Sequence, residues 1–181
     1  MARRKKVTRR KKVTLENVAQ RAVELGAKEA KVISPKSVVT AEWVRMKCQY
    51  GCGGYGQSLT CPPYSPTPEQ TRKMLDCYRT AVLLHFDEHW GPVREVVAAL
   101  ERELFLSGYY KAFAFACGGC EFCDECPAIR GGRCEHPRQA RPAMEAAGID
   151  VYATARNNGY PIEVVTSRTC PQNYYGLVMI E

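Results

Sequence analysis

Four cysteines at strict two-residue gaps, Cys117, Cys120, Cys123 and Cys126, with Pro127 directly after the last, constrain this chain more than any other feature. Seven residues further on come Cys134 and then His136-Pro137. Upstream, Cys48, Cys52 and Cys61 form a second set, closed by Pro62-Pro63. Thiolate sulfur is a soft ligand that selects iron–sulfur clusters, zinc or Cu(I) over hard ions. A two-residue gap lets neighbouring thiolates converge on one centre. Gly118 and Gly119 let the backbone wrap tightly and turn N–H groups toward sulfur.

Crosslinking is the rival use of cysteine, and length argues against it. A chain of 181 residues can bury a real apolar core, so its ten cysteines are not needed as staples for folding. No apolar run approaches a membrane span, and no apolar segment follows the basic start, so the expectation is a cytoplasmic protein without a secretory signal. In a reducing compartment the cysteines point to metal.

Which metal depends on spacing. Zinc sites favour two C-x2-C pairs set well apart. A four-iron cluster favours a close triple plus a more distant cysteine beside proline. Residues 117 to 134 contain two overlapping triples, 117/120/123 and 120/123/126. That pattern points to one or two [4Fe–4S] clusters and an electron carrier that hands single electrons to a redox partner protein. A zinc-stabilised interaction module is the alternative. A third reading is an enzyme with an open iron, since the first loop offers three thiolates and no obvious fourth. No catalytic residue is assigned. No nucleophile elbow or dinucleotide fingerprint occurs, and GCGGYG lacks the Lys-Ser/Thr ending of a phosphate loop.

The rest of the chain predicts one domain, residues 14–181, of mixed α and β structure: a single mixed β-sheet flanked by helices, with the two cysteine loops at strand ends. Thr14 is the expected cap of a first helix ended by Gly26. AKVIS and SVVTAEWVRM are expected strands, the second running into Cys48. Thr67, Pro68 and Gln70 form a helix start. TAVLLHF is a buried strand, a helix follows from Pro92, and KAFAFA is a strand running into Cys117. That strand–helix–strand unit makes its strands parallel neighbours, or nearly so. A short helix closed by Gly148, another capped by Asp150, and the strands PIEVV and YYGLVMIE complete the chain. With both cysteine loops leaving strand ends, Cys117 would complete the set of Cys48, Cys52 and Cys61. Cys120, Cys123, Cys126 and Cys134 would then form a second centre.

The net charge of +7 resides in residues 1–12, which carry eight basic side chains and no acidic one; the remainder has 18 basic against 19 acidic residues. Residues 1–13 are therefore expected to be a disordered basic tail, able at most to bind nucleic acid weakly and without sequence preference.

The run Cys48…Cys61-Pro-Pro-Tyr64-Ser-Pro, the run Cys120-x2-Cys123-x2-Cys126…Cys134-Glu-His136-Pro-Arg138-x2-Arg141-Pro, and MEAAGIDVY together resemble the "predicted metal-binding protein" family, a prokaryotic domain of unknown function. The resemblance covers about residues 15–181. It implies metal binding by Cys48, Cys52, Cys61, Cys120, Cys123, Cys126 and Cys134. The position of Cys117 is usually not cysteine in that family. His136 is placed to donate toward sulfur. Arg138 and Arg141 would offset cluster charge or else be solvated surface cations. Cys77 is expected to be a core or half-buried thiol, Cys170 a loop thiol or remote ligand, and His85 and His89 structural histidines.

Overall fold

The computed structural model describes residues 12–87, 92–167 and 169–181. The predicted tail falls outside them up to position 11, as does His89. Lys12 is exposed, whereas Val13 is buried in the core and its N–H donates to Ser107 Oγ at 3.0 Å.

Four strands form one sheet: β1 (Glu29–Ile33), β2 (Ala81–Phe86), β3 (Phe113–Phe115) and β4 (Tyr174–Met179), in the order β1-β2-β4-β3. Every pairing between these strands is antiparallel, so the sheet is not mixed as expected. β2 and β3 do run in the same direction, but they are not neighbours. The last strand of the chain takes the slot between them, as Leu83↔Leu177 and Phe115↔Leu177 record. A late strand can claim a central place because YYGLVM is apolar enough to be covered on both faces.

Helices cover both faces. On one, α1 (Val18–Leu25) and α4 (Val93–Leu106) pack Ala22, Val93, Val97, Leu100 and Leu104 over Val82, Leu84, Ala114 and Val178. On the other, Leu75 of α3 (Pro68–Leu75), Met144, Ile149 and Ala155 of α5 (Val151–Asn157) cover Leu83, Phe115, Leu177 and Met179. All six residues of β2 are buried, and each large side chain there contributes roughly 1.5–3 kcal/mol. Gly176 in β4 lets α4 lie close. A Cβ at that position would sit 2.6 Å from Val97 Cγ1 and 3.1 Å from Val93 Cγ1.

Local signals explain most helix ends. Thr67 Oγ1 accepts the Gln70 N–H while the Gln70 side chain accepts the Thr67 N–H, the reciprocal cap that the sequence predicts. Asp150 caps α5 through the Ala153 N–H. Gly148, at φ +76°, ends the short turn 145–147 and lies where any Cβ would overlap Pro68. Two expectations fail. α1 starts at Val18 rather than just after Thr14, because Asn17 Oδ1 takes the Thr14 N–H and holds residues 14–17 in a turn. PIEVV is not a strand: it joins no strand of the sheet, and only Ile162 of its side chains is buried.

Candidate metal centre

The segment before the first cysteine loop corrects the sequence reading most. SVVTAEWVRM does not continue as a strand into Cys48. It is extended only to Ala41, with Thr40 bridged to Ile149, and then becomes α2 (Glu42–Gly51). The β-branched residues crowd at Val38, Val39 and Thr40. From Glu42 on, the good helix formers Glu42, Arg45, Met46, Lys47 and Gln49 prevail, with Glu42 favourable in the first turn. Cys48 therefore lies in the last turns of a helix, and Cys52 stands at its end.

Beyond α2 the chain folds back. The Gly54 N–H donates to Cys52 Sγ at 3.4 Å, and a Cβ at Gly54 would touch both Cys52 Sγ (3.6 Å) and Cys61 Sγ (3.8 Å). The two sulfurs thus converge on one glycine. Burial pushes the Cys48 thiol up, and Cys52, Glu145 and Cys61 push it the same way while Arg45 opposes them. A thiol raised in this way stays protonated, and a bound cation would draw it to the thiolate with loss of the proton.

α2 rests on residues 145–147. That turn is pinned on several sides: Ala146 O accepts from Arg45 Nη1 (2.9 Å) and Ser65 Oγ, and Ala147 O accepts from Thr71 Oγ1 (2.6 Å). Cys48 Sγ reaches the Glu145 carbonyl at 4.0 Å. A groove of about 260 Å³ runs here, with Cys48, Cys52 and Glu145 among apolar walls that include Trp43, Val44, Ile149 and Tyr152. Burial pushes the half-buried Glu145 carboxyl above its ordinary value.

The second loop leaves β3 as predicted. Continuing the β3–β4 register places Cys117 opposite Tyr175, and the backbone N–H groups of Gly118 and Tyr175 act to lower its thiol pKa. Burial nonetheless pushes the thiol up to about 12, with Glu145 adding to the rise. Next to it lies a residue that the sequence reading missed. Arg94, on the first turn of α4, is buried, and its guanidinium donates to the carbonyls of Cys117 (3.2 Å), Gly118 (2.8 Å), Gly119 (2.8 Å) and Arg141. Burial lowers its pKa; the sulfurs of Cys120, Cys61 and Cys117 act in the opposite sense. The signal in the sequence was one cation within an otherwise apolar helical face.

Cys120, Cys123, Cys126 and Cys134 line one cavity of about 300 Å³, and Cys61 of the first loop lines it too. The ligand atoms of Cys123, Glu135 and His136 lie within 4.8 Å of one another. Glu135, between Cys134 and His136, was also missed. His136 stacks on Phe122 at 5.1 Å. The donor set suits a soft metal, and the cavity exceeds the roughly 30 Å³ of one water many times over.

Arg141 pairs with Glu101 through two contacts of 2.6 and 2.7 Å, so its guanidinium faces that carboxylate rather than sulfur. Arg138 is exposed. Cys77 is exposed past the end of α3, against expectation, because the helix stops at Leu75. Cys170 has Ser167 Oγ at 3.3 Å and Thr166 Oγ1 at 3.5 Å, and these hydroxyls with nearby backbone N–H groups hold its thiol down at about 6. His85 is structural: Nε2 meets Asn173 Oδ1 at 2.7 Å and the ring stacks on Tyr175.

A pinned helix end, a cysteine loop after a strand and a buried cation between them describe a cysteine-rich metal-binding domain. Residues 31–180 match the family described as "Predicted metal-binding protein (DUF2284)", and the chain belongs to it. No curated protein and no solved structure matches.

Proposed function

We propose that this is an iron–sulfur protein that holds one or two [4Fe–4S] clusters and passes single electrons to a partner protein. Cys120, Cys123, Cys126 and Cys134 hold one centre; Cys48, Cys52 and Cys61 belong to the other. The observation that carries this reading is the cavity of about 300 Å³ walled by Cys120, Cys123, Cys126 and Cys134, more room than a single ion with sulfurs about 2.3 Å away requires. A bound cluster supplies one-electron chemistry at a potential set by burial, N–H donors and nearby charge.

The chain's own groups are suited to that task. Arg94 keeps a buried positive charge beside Cys61, Cys117 and Cys120, where a tetrathiolate centre would carry negative charge. Gly54 aims its N–H at the Cys52 sulfur. Cys52 is exposed, and Trp43, Met46 and Tyr50 of α2 are exposed near it in sequence, which suits contact with a partner. Among the described residues no helix is long and apolar enough to cross a membrane; the proposed location is the cytoplasm.

Anaerobic purification with metal and sulfide analysis tests the reading. A brown protein with iron and acid-labile sulfide, losing about one cluster's iron in Cys123→Ser, is expected. A colourless protein with zinc and no iron replaces the electron carrier with a zinc-stabilised interaction module. Residues 1–12 are proposed to bind nucleic acid weakly; deleting them should abolish any salt-sensitive retention and leave metal content unchanged.

A further inference from the structure

The first centre has three cysteines of its own, Cys48, Cys52 and Cys61, and needs a fourth ligand. Cys117 and Cys170 are the sulfur candidates. Cys117 packs against the apolar core of the α4 face, and it lines neither cysteine-bearing cavity. The Cys170 sulfur is engaged by Thr166 and Ser167.

Glu145 stands where a ligand is wanted. Glu145 lines the same groove as Cys48 and Cys52, while Cys61 lines the other cavity, and the Cys48 sulfur lies 4.0 Å from the Glu145 backbone carbonyl. Among the described residues the Glu145 carboxylate has no cation and no side-chain donor; its one hydrogen-bond partner is its own N–H. Lys47, in the same groove, holds its ammonium over the Trp43 ring at 5.4 Å. The backbone under Glu145 is immobilised by Arg45, Ser65, Thr71 and by the Ala41 N–H on Gly148 O. A half-buried carboxylate on a pinned backbone, beside thiols and without a cation, has the character of a metal ligand.

We infer that Glu145 is the non-sulfur ligand of the metal held by Cys48, Cys52 and Cys61, leaving that centre with one exchangeable oxygen-bound position. The inference rests on those three cysteines being ligands, but not on the metal being iron. An oxygen-bound position gives way to added ligands more readily than a thiolate-bound one, so this centre, and not the one at Cys120–Cys134, would take up a small anion or a substrate oxygen.

The test compares the full-length wild type with Glu145→Cys, Glu145→Gln and Cys117→Ser, all prepared anaerobically. Metal per chain and the metal X-ray absorption edge are read, and for iron also the spin-resonance spectrum of the reduced protein with and without cyanide. Wild type should show an oxygen scatterer and a cyanide-dependent spectral change. Glu145→Cys should keep the metal, replace that oxygen by sulfur and lose the cyanide response. Glu145→Gln should lose metal from this centre while the melting curve of the sheet core is retained. Cys117→Ser should match wild type. Unaltered absorption and cyanide response in Glu145→Cys, or loss of this centre in Cys117→Ser, overturns the proposal. Zinc in place of iron, with the oxygen still lost in Glu145→Cys, overturns the iron–sulfur reading and upholds this one.

Discussion

Two regions of the molecule are built on opposite principles. In the sheet, β2 is buried at every residue and β4 at all but the first. From Cys117 to Pro142 no residue is buried at all, although Ala116 and Ala143 on either side are. The sheet holds itself by removing apolar surface from water. The second cysteine loop has no such surface to bury, few backbone hydrogen bonds of its own, and Arg94 gripping its first turn from outside. A stretch this long without a core must gain its order elsewhere, and in a metal-binding family with cysteines on the cavity walls, ligation is the available source.

Metal removal is the strongest way to break this contrast. Under anaerobic chelation, amide exchange across residues 117–136 should accelerate by on the order of 100-fold, while amides of β2 and β4 hold their protection. A sheet that opened together with the loop would erase the distinction. The converse change is Leu83→Ala, which leaves a cavity beneath β2. It should lower the unfolding free energy by about 3 kcal/mol and leave metal per chain unchanged. Arg94 spans both regions. Arg94→Ala should cost roughly 2 kcal/mol by leaving the carbonyls of Cys117, Gly118 and Gly119 without their charged donor, and it should reduce metal retention in the second loop. Arg94→Lys should not rescue retention, because one ammonium cannot reproduce a planar fork shared among four carbonyls.

The smallest effect lies outside both regions. The Cys170 thiol, held down at about 6 by hydroxyl and backbone donors, is the thiolate above that pH and loses that form as pH falls through it. Alkylation of Cys170 should therefore rise with a midpoint near pH 6, equally in metal-loaded and metal-free protein, and Ser167→Ala should move the midpoint upward. Labelling of Cys123, by contrast, should appear only when metal is removed.

The contrast also separates what sequence conveys from what it hides. The buried strands were legible from unbroken apolar runs at Ala81–Phe86 and Tyr174–Met179, and α3 from the Thr67–Gln70 pair. The cysteines were legible because ligand spacing is local. The place of β4 in the sheet was not, since sheet order is decided by contacts far apart in the chain. Nor was α2, whose start follows directly on a β-branched run that promised a strand. Arg94 and Glu145 were passed over for a related reason: each lies in an apolar context in the sequence, and only the fold brings it beside cysteines from other segments.

One missing methyl group carries a consequence for genetics. Gly176 faces away from the α3 side of the sheet and offers no ligand atom, yet it allows Val93 and Val97 to seat α4 against β4. Arg94 is on the same turn as Val93. An alanine at 176 would lift that turn and with it the hand on the cysteine loop. A selection scored only by colour or metal uptake would then return Gly176 among its strongest hits, a metal phenotype arising at a position that never meets the metal.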